Sequence, residues 1–108
     1  MAIDLSAQDL SGYELPNANL SGADLSHKEL RNTNLAGADL HNACLAGADL
    51  TGSNLAGANL SGADLSGADC ADADFTSADL TNATLDGATF VGATLDRATL
   101  TGTLLASD

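Results

Sequence analysis

Counting from Leu5, every fifth position through Leu105 is leucine except at Cys70, Phe75 and Phe90. None of these 21 sites is polar, and no insertion or deletion breaks the register. Two positions before each of these central residues the chain carries Ala in 14 of 21 repeats, and one position before it is usually Asp, Asn, Glu or Thr. All 11 glycines lie two positions after a centre, a slot shared by Asn17, Asn32, Asn42 and Asn82. The repeating unit is therefore A-(D/N)-L-(S/T/A)-G.

A period of five suits neither regular structure in straight form. On an α-helix five residues advance about 500°, so successive leucines step round the cylinder and form no stripe. On a flat strand an odd period sends alternate leucines to opposite faces. Every leucine stays on one side only if the chain turns once per repeat. The Gly/Asn slot supplies that turn, because these residues tolerate positive φ. Turning repeatedly in one sense winds the chain into a coil with Leu and Ala inside. Successive coils then pair through their backbones as parallel strands about 4.8 Å apart. Composition agrees: with no Trp, one Tyr and two Phe, an interior of Leu and Ala cannot select one packing by interlocking shapes. Lattice spacing must do so instead.

These repeats, from Ile3-Asp4-Leu5 to Leu104-Leu105-Ala106, resemble the pentapeptide-repeat family. The resemblance implies an all-β fold, a right-handed quadrilateral parallel β-helix (a solenoid) of about five coils with four pentapeptide repeats each. Residues 1–108 are expected to form a single domain of this kind. Turning and closure follow from the residues; the four sides come from the resemblance. Terminal repeats of such a stack should be atypical, and they are. Ile3, Gln8 and Tyr13 replace the inward Ala, and Pro16 removes a backbone donor. At the far end Leu104 stands where a polar residue belongs, so Leu104 and Leu105 mark the end expected to self-associate, giving a homodimer through coil ends.

With four repeats per coil, Asp9, Glu29, Asp49 and Asp69 stack on one face, the candidate binding face. Asp4, Asp24 and Asp64 form a second column interrupted by Cys44. Unit charges 4.8 Å apart in water repel by about 0.9 kcal/mol, which predicts raised carboxyl pKa values unless cations or partners bind. The alternative is that each Asp bonds the backbone of its own turn. His27, Lys28 and Arg31 cluster near one corner. Lys28 occupies an inward slot, where an ammonium must escape to solvent or pair locally; the alternative is a recognition spot in an acidic surface.

The formal charge of −12 opposes direct contact with nucleic-acid phosphates or anionic lipid and favours a cationic protein partner. No apolar run reaches the length of a membrane span. The N-terminus, MAIDLSAQDL, lacks the basic and apolar regions of a signal peptide, so the cytoplasm is the expected compartment. Cys44 and Cys70 have no metal spacing and read as free thiols. No catalytic, cofactor-binding or metal-binding residues are expected, because His27 and His41 fall on different faces and a rod without inserted loops lacks a pocket. Three functions fit: a non-catalytic interaction scaffold binding a macromolecular partner through its flat faces; an acidic DNA mimic; or an engineered or purely structural repeat. The scaffold is the leading expectation. The mimic comes from the resemblance, since some family members imitate B-form DNA, act on type II topoisomerases such as gyrase and confer fluoroquinolone resistance. This chain lacks their projecting loops and dimerising C-terminal helix.

Overall fold

The computed structural model describes residues 7–103, and no helix occurs among them. Fifteen parallel β-bridges each join a residue to the one 20 positions later, from Asp9 with Glu29 to Asp79 with Thr99. One turn of the coil thus takes four pentapeptides and makes four faces, named here for their first bridged residues: Asp9, Glu14, Asn19 and Asp24. The molecule measures 20 by 19 Å across its two shorter axes, as four equal sides require.

Three hydrogen bonds per repeat hold neighbouring turns together, one of them from the corner residue, as when Gly37 N–H donates to Ala56 O at 2.9 Å. The N–H of each centre points toward the following turn, as when Leu35 donates to Asn54 O at 2.7 Å. The N–H of the residue before the centre points the other way, as when Asn54 donates to Thr33 O at 2.9 Å. The corners are tight turns closed across three residues, for example by Ala38 N–H on Leu35 O at 3.0 Å; after Leu30 the Thr33 N–H turns instead to Ser53 Oγ at 3.1 Å. The third residue of each corner has φ near +60° to +80°, the pattern of a type II turn. Beyond the expected Gly and Asn, His27, Asp72, Ser77 and Arg97 adopt this conformation too. The repeat geometry overrides their local preference.

The interior follows the pentapeptide register. The centres from Leu10 to Leu80 are buried, as are most of the inward alanines from Ala38 to Ala83. Burying one leucine stabilises by roughly 1.5–3 kcal/mol, and the same contact recurs at each level. Cys70 is fully buried beneath the level of Phe90, and the Phe90 ring meets Phe75 edge-on at 5.6 Å. Three inward slots hold buried polar residues, Thr33, Ser53 and Thr103; Thr33 and Ser53 hydrogen-bond each other at 2.9 Å, and Thr33 Oγ1 donates to Leu30 O at 3.0 Å. No buried side-chain polar atom among the described residues lacks a partner.

The corners show an order that the repeat motif alone does not reveal. An Asn, Asp or His at a corner leans along the axis over the corner one turn later, and that later corner is glycine. A Cβ on Gly52 would lie 2.3 Å from Asn32 Oδ1, and one on Gly47 would lie 2.4 Å from His27 Nδ1. Two opposite corner columns consequently alternate: Gly12, Asn32, Gly52, Asp72, Gly92, and Gly22, Asn42, Gly62, Asn82, Gly102.

The two ends differ. In the first described turn Leu10, Leu15, Leu20 and Leu25 are all buried. Gln8 Nε2 donates to His27 O, and Lys28 Nζ reaches Ala7 O at 2.9 Å. In the last, residues 84–103, the centres Leu85, Phe90, Leu95 and Leu100 are only partly buried.

Candidate functional site

The bridges place Asp9, Glu29, Asp49 and Asp69 in one unbroken column, continued by Thr89. This is the predicted acidic face. Asp24, Cys44 and Asp64 form the second column; Asp4 lies outside the described residues, as do Leu104 and Leu105 of the predicted self-association end.

Three of the four carboxylates bond the corner that follows them. Asp9 Oδ1 accepts from Ser11 N–H at 2.9 Å. Asp49 Oδ1 accepts from Thr51 N–H at 3.0 Å and from Thr51 Oγ1 at 2.6 Å. Asp69 Oδ1 accepts from Ala71 N–H at 3.1 Å. The expected rise in pKa is therefore corrected at Asp9 and Asp49, whose carboxyls are held below the ordinary 3.8. At Asp9 the backbone N–H of Ser11 is the main cause; at Asp49 it is the Thr51 hydroxyl, aided by Arg31. Hydrogen bonds to the charged form outweigh like-charge repulsion across a solvated face. At Glu29, one methylene longer, no such turn bond joins the carboxylate to Arg31 N–H, which donates to Ser11 Oγ instead. The same clamp lowers Asp24, Asp39, Asp64, Asp74 and Asp79. One oxygen of each clamp binds the corner, and at Asp49 the other lies beside Arg31.

Lys28, Arg31 and His41 are used within the molecule. Arg31 Nε sits 3.7 Å from Asp49 Oδ2, inside the acidic face, and Lys28 caps a backbone carbonyl, the local pairing expected for its inward slot. His41 Nδ1 lies 3.0 Å from Asp39 Oδ1 on the Asn19 face, well apart from His27. Cys44 and Cys70 are free thiols; burial, with Asp69 and Asp49 nearby, pushes Cys70 up to about 12. No group of metal-ligating side chains occurs among the described residues. Sequence reasoning missed the Thr33–Ser53 pair and the hydroxyls clamped by the aspartates. The recurring D-x-S/T spacing, as in Asp64-Leu65-Ser66, was the available signal.

The sequence profile of the family described as Pentapeptide repeats matches this chain in eight copies, spanning residues 3–35, 14–52, 43–82, 53–90 and 73–105. No curated protein matches it. Among solved structures, it is similar to a pentapeptide repeat protein from the Arabidopsis thaliana thylakoid lumen, with 37% identity and a TM-score of 0.81 over 83% of this chain and 63% of that one. HetL from the cyanobacterium Nostoc sp. strain PCC 7120, a pentapeptide repeat protein involved in heterocyst differentiation regulation, matches at 32% identity and a TM-score of 0.57, covering 89% of this chain and 59% of that one. A second Nostoc pentapeptide repeat protein matches at 41% identity and a TM-score of 0.56, covering 77% and 64%. The chain thus spans less than two thirds of each of these solved chains.

Proposed function

The chain belongs to the pentapeptide-repeat family, whose fold is the right-handed quadrilateral β-helix, and we propose that it is a non-catalytic scaffold binding a cationic protein surface through its Asp9 face. One observation carries this reading. The column Asp9–Glu29–Asp49–Asp69 runs unbroken at lattice spacing, with its aspartates fixed by their own corners, so little side-chain entropy is lost when a partner docks. The net charge of −12 favours a basic partner and speeds its encounter.

The test compares the parent with the variant Asp9→Asn, Glu29→Gln, Asp49→Asn, Asp69→Asn. Asn already fills this slot at Asn54 and Asn59, where it makes the same turn bond, so the variant retains the fold. Each protein is immobilised and exposed to source-cell extract, and the retained proteins are quantified across ionic strengths. Partners retained by the parent at low salt and lost by the variant support the Asp9 face; identical sets reject it. A gyrase supercoiling assay on the same pair separates the DNA-mimic reading, because inhibition by the parent that the variant loses would assign the acidic column to topoisomerase binding.

A further inference from the structure

The aspartates of the stack differ in how fully their corners satisfy them, and the residue two positions on sets the difference. Asp49, Asp64, Asp74 and Asp79 are each followed by a Ser or Thr there. One carboxylate oxygen of each accepts both a backbone N–H and a hydroxyl, and each of the four residues is half-buried. After Asp69 the position holds Ala71. Its N–H, at 3.1 Å, is the one donor that this corner supplies, and Asp69 is exposed. A carboxylate offers about four acceptor positions, so Asp69 keeps most of its capacity for a donor from outside.

Asp49 shows which donor suits it. Its Oδ1 is held by Thr51, while Oδ2 lies 3.7 Å from Arg31 Nε. The bridges repeat every 20 residues, so the position that matches Arg31 for Asp69 is Thr51. That side chain carries no cation and is engaged with Asp49. No ion pair reaches Asp69 among the described residues. Beside it the column that contains Arg31 turns apolar, with Ala71 and then Val91, which is 73% exposed. The adjoining corner bears exposed Asp72, whose side chain leans over Gly92.

Resting on the scaffold reading of the Asp9 face, we propose that Asp69 is the anchor of that face, taking an arginine of the partner as Asp49 takes Arg31, while Ala71 and Val91 receive an apolar residue next to that arginine. The recognised segment is then an arginine flanked by apolar residues rather than a run of cations. Arginine fits this place better than lysine, because its planar guanidinium is weakly hydrated and loses less on being set against apolar neighbours. Within the column, Arg31 opposes a second cation at Glu29 and Asp49, which directs the incoming one to Asp69.

The test is a chemical-shift titration of the 108-residue protein with the peptide acetyl-Leu-Arg-Leu-amide and with its lysine and citrulline counterparts. The arginine peptide is expected to shift the amides of Asp69, Ala71 and Val91 first, the lysine peptide to bind more weakly and the uncharged citrulline peptide not to bind. Asp69→Asn keeps the turn bond that Asn54 and Asn59 make and should weaken the arginine peptide about two- to fivefold, with Asp9→Asn leaving it unchanged. Thr51→Arg should seat a guanidinium on Asp69 from within the chain and block the peptide. Arg31→Gln should free Asp49 and extend the shifts to it, whereas Arg97→Gln, which removes the same charge elsewhere, should not. Shifts centred on Asp9 or Glu29, equal binding of the citrulline or lysine peptide, no loss in Asp69→Asn, or no shift at all overturns the anchor. Capture from extract separates this from the face itself. If the four-residue variant loses retained proteins and Asp69→Asn alone loses none, the face stands and the anchor falls; if neither loses any, both fall.

Discussion

Asp64, Asp74 and Asp79 each commit one carboxylate oxygen to two donors of the corner that follows, a backbone N–H at 2.9–3.0 Å and a Ser or Thr hydroxyl at 2.5–2.6 Å. Their folded pKa values lie below 3.8 for that reason, with the hydroxyl first. A depressed carboxyl pKa contributes stability that is present above the unfolded value and lost as pH falls through the folded one. Melting temperature should therefore be nearly flat from pH 7 to about 5 and fall below about pH 4. Replacing Asp64, Asp74 and Asp79 by Asn keeps an acceptor without the titration and should flatten the acid limb. A melting temperature that rises on acidification would return the repulsion picture. The corners allow a second comparison. Gly52 and Gly57 both have φ near +70°, but only Gly52 has Asn32 above it. Alanine at either position incurs the same left-handed strain. Gly52→Ala should cost a further 0.5–1.5 kcal/mol or so for displacing the Asn32 side chain from its rotamer, and Asn32→Gly should remove that excess; equal melting of the two alanine variants would show the contact to be idle. The thiols give a third contrast. Buried Cys70, at about 12, should resist alkylation in the native protein, while half-buried Cys44 reacts, so mass spectrometry should find one label.

At the level of one turn, stability rests on inward centres repeated every 20 residues. Leu55 is fully buried in the middle of the stack. Leu55→Ala should cost about 2–5 kcal/mol, and Leu55→Asp should unfold the domain by burying an unpaired charge. A soluble Asp variant melting within a few degrees of the parent would show that this column is not the core. The turn is also where sequence reading succeeded and where it stopped. The period of five, the apolar centre and the Gly/Asn slot sufficed to place Leu10 through Leu100 inside, whereas stacking Asp9 on Glu29 also needed the four sides that the family resemblance implied. The left-handed corners at His27 and Arg97 follow from register too, although their residue types argue against them. Two features were not legible. The charge state of the acidic face depends on whether a 2.6 Å hydroxyl bond or a neighbour's field dominates, and periodicity is silent on that competition. The Asn-over-Gly rule needs the direction in which a corner side chain leans, information that a five-residue motif averages away and a 20-residue column exposes.

Over the whole molecule, each turn contacts only its neighbours, so opening should propagate from the ends. Both described ends carry amides without a backbone acceptor among the described residues: Asp9, Glu14 and Asn19 at one, Phe90, Leu95 and Leu100 at the other. In a monomer, amide exchange should be slowest from Leu35 to Leu65, where every centre N–H is bonded to the next turn at 2.7–2.8 Å, and fast at both ends.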